Sequence, residues 1–368
     1  MIRAERCIFF GMQAAVRVLH LGIVILCLFV SCRTAAVKND AAIVYRGADI
    51  SYYYQQEQCG VKFFCDGTET PLFAILKDAG VNWIRLRLWH TPENGWNTLS
   101  QTVSMAERIK AAGFSFLLDI HYSDRWADPA EQKIPAEWSG FDFSELQNAV
   151  KSYTAFVLEA FSAAGCAPDM VQTGNEIANG MLFPYGKIRD DGNCDDFMSL
   201  LTGAVEIVRL KCSSAKVMLH IPCDSDSERV VWWYSQAQAH AIDYDVIGLS
   251  FYSFFTGTDF DIVSDTVYAL SAFGKEICIV ETSYPWTLDW NDSENNLVGR
   301  VEQLIPGFYA TKEGQQQYLD EICRRTAASG GNGVFWWEPQ AVCAEAFPSA
   351  LENLSWFDFD NTYLGIHF

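Results

Sequence analysis

Basic residues are few in this chain: 26 Lys and Arg stand against 46 Asp and Glu, a formal charge of −20 at pH 7. That excess repels polyanions and excludes nucleic acid as a partner. It fits a soluble protein acting on a neutral or cationic substrate, although solubility alone accounts for it equally well. A spaced metal motif is also missing. The sequence has 12 cysteines and 6 histidines, yet no CxxC pair, no Cys/His cluster and no His-x-His pair after the first strand-like segment. A metal-dependent barrel hydrolase is therefore disfavoured, no metal ligand is assigned, and no cofactor is required. Around the first such segment, Arg46-Gly-Ala-Asp-Ile-Ser51 is not a glycine-rich phosphate turn. No internal repeat, low-complexity tract or linker calls for a second domain. What the chain does have is hydrophobic content: half of its 368 residues, with 12 Trp, 15 Tyr and 25 Phe, ample for one large core. Much of the aromatic content belongs in that core, but Trp and Tyr at strand ends also make flat platforms for sugar rings.

Residues 1–32 read as an export signal rather than as part of the fold. Arg3, Arg6 and Arg17 precede the apolar run Leu21–Val30, which is too short to span a bilayer comfortably and leads into Ser31-Cys32. A small residue followed by Cys resembles a lipoprotein cleavage site, with Cys32 as the lipidated N-terminus. Phe29 stands where Leu is usual, so simple cleavage and release, or a retained anchor, stay open. The chain is thus expected at the outer cell surface or in the periplasm, with membrane contact only through Cys32, and as a monomer. In an oxidising compartment Cys59 and Cys65, which flank a short loop, could pair. Cys278, inside an apolar run, reads as a small buried residue.

From about Val44 strand-like and helix-like segments alternate. Strands are expected at 43–50, 82–89, 115–121, 169–174, 216–221, 245–251, 276–281 and 333–337. Between them lie helical stretches such as 71–79 and 103–112, each followed by Gly. Ser144-Glu-Leu-Gln147 reads as a capping box opening a long helix that Gly165 closes. Eight such units over residues 33–368 predict one α/β domain, a single (β/α)8 TIM barrel with long βα loops. A doubly wound open sheet is the alternative.

In such a barrel, chemistry sits at the C-terminal ends of the strands. Met170-Val-Gln-Thr-Gly-Asn-Glu176 and Ile277-Cys-Ile-Val-Glu281 are both apolar runs that stop on a carboxylate, which is costly to bury unless it is used or paired. Two such ends suggest the carboxylate pair of a glycosidase. Glu281 would be the nucleophile, kept ionised by Arg87 and Tyr252. Glu176, in a drier place facing another carboxylate, would be the acid/base. Asn175 would hold the sugar 2-hydroxyl. Arg85 and Arg87 share one strand face and must meet carboxylates. Asp119, His121, Trp89, Trp126, Trp286 and Trp337 complete the expected mouth as substrate-binding residues. Each also has a plainer reading: Arg87 as one end of an ion pair, His121 as a hydrogen-bonded core histidine, Asp119 as a loop anchor, Trp337 as a barrel plug.

These residues carry a resemblance. Arg46-Gly-Ala-Asp-Ile-Ser51, Asn82-Trp-Ile-Arg-Leu-Arg-Leu-Trp89, Asp119-Ile-His-Tyr-Ser-Asp-Arg-Trp126, Asn175-Glu-Ile-Ala-Asn-Gly-Met-Leu-Phe-Pro184, Ser250-Phe-Tyr252, Glu281-Thr-Ser-Tyr-Pro-Trp286 and Trp337-Glu-Pro339 occur in order along nearly the whole mature chain. Together they resemble the endo-β-1,4-galactanases of glycoside hydrolase family 53, in a clan of retaining (β/α)8 hydrolases. The resemblance implies Glu176 as acid/base, Glu281 as nucleophile, and internal cleavage of the β-1,4-galactan (type I arabinogalactan) of pectin. Some bacterial members bind calcium through the loops after strands seven and eight, where Asp289, Asn291, Asp292 and Glu294 are oxygen donors; a solvated acidic loop is the other reading. The chain departs from the pattern at His220-Ile-Pro-Cys-Asp-Ser-Asp226, at Ser253 and at Gln340-Ala-Val342, all near the mouth. A clan relative cutting mannan, glucan or xylan, and a non-catalytic glycan-binding surface lipoprotein, are the rival readings.

Overall fold

A computed structural model describes residues 42–368; the expected export signal and Cys32 lie outside them. Eight strands form a closed, all-parallel barrel: β1 Tyr45–Asp49, β2 Trp83–Leu88, β3 Ser115–Ile120, β4 Met170–Thr173, β5 Lys216–Pro222, β6 Val246–Phe251, β7 Glu276–Thr282 and β8 Gly333–Trp337. They neighbour one another in chain order, and β8 closes on β1 with Asp49 beside Trp337. The open-sheet alternative is thereby excluded. Return helices α1 Leu72–Asp78, α2 Leu99–Ala111, α3 Phe143–Ala163, α4 Asp195–Lys211, α5 Ser227–Ala239, α6 Asp261–Leu270 and α7 Lys312–Ala328 follow the first seven strands. After β8 the described chain makes no further helix than the single 3-10 turn Glu352–Leu354, and the Phe368 N–H returns to the Ala79 carbonyl at 2.9 Å. No helix among the described residues is long and apolar enough to cross a membrane.

Buried on both faces, the parallel strands are continuous apolar runs, which made them readable. Inward positions alternate with outward ones and build two layers. The lower is apolar, with Tyr45, Leu117, Met170, Met218, Cys278 and Phe335 filling the barrel. Phe335 crosses over Gly47, where a β-carbon would lie 1.9 Å from its ring, so only glycine fits. One step toward the strand ends the inward positions turn polar: Asp49, Arg85, Asp119, Gln172 and His220, all buried. The site stands on this layer.

Two local expectations are corrected. The α3 capping box is Asp142 with Glu145, two residues before the expected pair; Asp142 Oδ1 accepts the Glu145 N–H at 2.9 Å and Glu145 Oε2 accepts the Asp142 N–H at 2.8 Å. A carboxylate there also meets the positive end of the helix dipole. Cys59 and Cys65 are both free thiols. Cys65 sits in a two-residue hairpin strand, while the Cys59 thiol turns toward the Ala346 carbonyl at 3.6 Å.

Candidate active site

Glu176 and Glu281 come from opposite parts of the barrel and meet over its mouth. One oxygen of each, with a ring nitrogen of His220, lie within 4.8 Å of one another. Local backbone geometry aims both. After β4 the chain kinks at Gly174 (φ 92°), and Glu176 itself takes the left-handed conformation (φ 47°, ψ 47°), which is costly for a residue with a β-carbon. On β7, Cys278 and Val280 point into the barrel, so regular alternation would turn Glu281 outward. The ladder slips there against both neighbours: Leu249 pairs with Ile279 but Ser250 with Glu281, and the pairing with β8 skips from Ile279 to Thr282. This bulge re-aims the carboxylate into the mouth.

The two carboxyls sit in unlike surroundings. Glu281 Oε1 is 2.7 Å from Arg85 Nη1, and its Oε2 accepts the Tyr252 hydroxyl at 3.0 Å. Glu176 has no cation against it; its Oε1 accepts the Ser250 hydroxyl. Burial lifts the pKa of both. For Glu281 the Arg85 charge and the Tyr252 hydrogen bond work the other way. For Glu176 the nearby Glu281 charge adds to burial and pushes it up to about 8. When one proton is shared between the two, it therefore belongs on Glu176.

Arg85, not Arg87, is the guanidinium on Glu281. Four of its N–H groups donate hydrogen bonds, Nη1 to Asp49 at 2.7 Å, Nη2 to Asp119 at 2.8 Å and Asn175 at 2.9 Å, and Nε to Gln172 at 3.2 Å, and Nη1 is also ion-paired with Glu281 at 2.7 Å. Two residues further along β2, Arg87 is already at the rim. It pairs there with Glu338 at 2.7 Å and lies 4.2 Å from the ring centres of both Tyr52 and Trp126, which the β1 and β3 loops fold over it. One buried arginine thus serves three carboxylates. Arg85→Met, which leaves all three without a cation, is expected to destabilise the fold by about 3–5 kcal/mol. The denaturation midpoint reads this; a midpoint equal to wild type would mean that those carboxyls are not held as anions.

Asn175 is held in one orientation. Its Oδ1 accepts from Arg85 and Gln172, and its Nδ2 donates to the Ala127 carbonyl at 2.9 Å, leaving one N–H for a hydroxyl. Tyr252 contacts Glu281 directly, and the partly exposed Trp126 and Trp337 pack edge to face at 5.9 Å on the rim. Asp119, His121 and Trp89 are buried beside them, as Asn175, Tyr252 and Glu281 are. The His121 ring accepts the Ala127 N–H at Nδ1 (3.3 Å) and donates Nε2–H to Asp119 (2.9 Å). Trp89 presents its edge to His121 and Trp126. Trp286, partly exposed, packs on Phe359 with ring centres 4.8 Å apart, and its Nε1–H donates to the Glu352 carbonyl at 3.4 Å. Sequence reasoning assigned no role to Gln172, His220 or Ser250. Their signal was there, a polar residue two positions after an inward-facing one on β4, β5 and β6.

On the Glu176 side a groove of about 540 Å³ opens from the mouth, lined by Glu176, Ser250, Asp128, Pro222, Asp224 and the exposed Phe255 among others. Glu281 does not line it.

A closed parallel barrel with two carboxyls in unlike surroundings meeting over one mouth is the arrangement of a glycoside hydrolase, and this chain is a glycoside hydrolase. It belongs to glycosyl hydrolase family 53, whose profile matches residues 45–365. It is 37% identical to an uncharacterized protein of Niallia circulans, over 88% of this chain and 92% of that one. It is 34% identical to a Cellvibrio japonicus protein named arabinogalactan endo-beta-1,4-galactanase, over 88% of this chain and 90% of the relative. The Ignisphaera aggregans family 53 catalytic domain superposes with a TM-score of 0.83 at 31% identity, covering 89% of this chain and 95% of that one.

Proposed function

We propose that this chain cleaves β-1,4-galactan internally, with retention of anomeric configuration. The observation that carries the reading is the approach of Glu176 and Glu281 to within 4.8 Å. Retaining glycosidases place their carboxyls roughly 5–5.5 Å apart, whereas inverting ones leave ~6.5–9.5 Å for a water. The Glu281 carboxylate attacks the anomeric carbon while Glu176 gives its proton to the departing glycosidic oxygen, so one C–O bond forms as another breaks. Water then enters, Glu176 takes its proton, and the glycosyl ester to Glu281 is broken. The sum consumes one water and needs no cofactor. The leaving sugar departs on the Glu176 side, where the groove lies. Galactan as substrate is supported by family membership and by the name of the Cellvibrio japonicus relative. Reducing-sugar release from linear β-1,4-galactan, set beside mannan, xylan and cellulose, tests the choice. Release only from a glucose, mannose or xylose polymer would overturn the substrate and leave the mechanism standing.

Residues 1–32 are proposed to export the chain and to anchor it by a lipid on Cys32, with 33–368 as the catalytic domain. A palmitate analogue should label the expressed protein, and Cys32→Ala should abolish that label; labelling unaffected by the substitution would end the anchor reading. The chain is proposed to act as a monomer. A mass at the dimer value by light scattering would contradict it. A structural calcium ion is not part of this reading. Asp292 accepts the Glu294 and Ser349 backbone N–H groups, at 2.7 Å each. The groups that converge with it are Cys343 and Glu352. Burial and the Glu352 charge push the Cys343 thiol up to about 12, so it stays protonated and is no donor for a hard, oxygen-seeking ion.

A further inference from the structure

Nothing in the mechanism so far decides which of the two Glu176 oxygens carries the proton. A carboxylic acid can hold it on either, and only the one facing the leaving group is productive. Oε1 accepts the Ser250 hydroxyl, while Oε2 has no hydrogen-bond partner among the described residues. Behind Ser250, on the neighbouring strand, His220 Nε2 is 3.1 Å from the same hydroxyl oxygen.

The tautomer of His220 follows from what surrounds it. The ring is fully buried, and burial together with the Arg85 charge holds its pKa well below the usual histidine value, so it is neutral. The Glu176 backbone N–H is aimed at Nδ1 at 3.4 Å. The Gln172 amide is 3.1 Å from it, but one of its two hydrogens goes to Asp119 Oδ1 at 2.7 Å and the other is shared among Nδ1, Asn175 Oδ1 and the Gly174 carbonyl. Asn175 Oδ1, 3.0 Å from Nδ1, already accepts from Arg85. With a backbone donor aimed at Nδ1, we assign it as the acceptor and place the hydrogen on Nε2. That hydrogen points at the Ser250 oxygen, which leaves the hydroxyl hydrogen only one acceptor to face, Glu176 Oε1. His220 and Ser250 thus form a directed pair of donors ending on one oxygen of the acid.

We propose that Ser250 and His220 are positioning residues for Glu176: by holding Oε1 permanently as an acceptor they confine the transferable proton to Oε2, on the side of the leaving-group groove. The assignment rests on Glu176 being the acid/base. It explains why a serine stands on β6 level with Glu281, and why a histidine is buried on β5 where an aliphatic residue would fill the barrel.

Kinetics test it. The charged and titratable groups around Glu176 are Glu281 from β7, Arg85 from β2, Asp128 after β3, Tyr252 after β6 and the neutral His220 from β5. None of them is altered by Ser250→Ala. Removing the hydroxyl withdraws a bond that favours the anion, so the alkaline limb of kcat/KM on galactan is expected to move up by about one pH unit. At neutral pH kcat should fall about tenfold on galactan. On a dinitrophenyl glycoside, whose leaving group needs no proton, kcat/KM should stay near wild type, because it reports the first step alone. Ser250→Thr, which keeps the hydroxyl, should restore both. His220→Gln, which keeps a side-chain N–H donor, should lie closer to wild type than His220→Leu. An unmoved alkaline limb in Ser250→Ala, with equal losses on the two substrates, would overturn the proposal and leave a merely structural serine. If Glu176→Gln kept full activity, the parent reading would have failed instead.

Discussion

Glu281→Gln is expected to lower kcat on linear β-1,4-galactan by roughly 10⁴-fold or more, with KM little changed, because it removes the atom that forms the covalent intermediate. The amide keeps the volume of the side chain, and its carbonyl can still accept from Arg85 or Tyr252. The change also lightens the load on Arg85, which otherwise faces the charges of Asp49, Asp119 and Glu281. The fold should therefore survive, and a melting temperature at or above the wild-type value identifies the loss as chemical. Turnover near wild type in this variant would remove Glu281 from the mechanism.

Glu176→Gln is expected to cost about 10²–10⁴-fold on galactan, the range in which general acid catalysis contributes. The effect is selective. With a dinitrophenyl glycoside the first step needs no proton and should proceed, while the second, which needs a base to activate water, should stall. Added azide, a nucleophile that requires no base, should restore turnover and give a glycosyl azide of retained configuration. The same carboxyl sets the pH behaviour. Because Glu176 is lifted from 4.5 to about 8, kcat/KM should fall above about pH 8 as the acid loses its proton, and the variant should lack this limb. For stability, a carboxyl whose folded pKa is raised binds more protons folded than unfolded. Its contribution is fully present below the unfolded pKa and is lost as pH rises through the folded one. Between pH 4.5 and about 8 the wild type should thus lose stability relative to Glu176→Gln. A gap in denaturation midpoint that does not widen from pH 5 to pH 8.5 would contradict the raised pKa.

The barrel was legible because its strands are buried on both faces and read as apolar runs, the first seven each followed by a return helix. The two glutamates were legible for the same reason: a carboxylate ending such a run stands out. What was not legible depends on height in the barrel and on local slips of register. Arg85 and Arg87 share a face, and period two cannot say which of them reaches the centre; that depends on which one lies level with Asp49, Asp119 and Glu281. The bulge that turns Glu281 inward leaves no mark in Ile277-Cys-Ile-Val-Glu281, since it is defined by the partners on β6 and β8. An aromatic residue at a strand end does not reveal in sequence how much of its ring is covered: in the fold Trp89 is buried and the partly exposed Trp286 packs on Phe359. Gln172 and His220 were overlooked as isolated polar residues in apolar strands, where they form the inward polar layer beneath the acid.

The most direct test of the paired-carboxylate mechanism is proton NMR of linear β-1,4-galactan during the first minutes of digestion, before the new reducing ends equilibrate. Retention, as two carboxyls with oxygens inside 4.8 Å require, gives the β-anomer first and the α-anomer only later by mutarotation. The α-anomer appearing first would mean a water-sized gap between Glu176 and Glu281 and a single displacement, and no covalent role for Glu281 would survive that result.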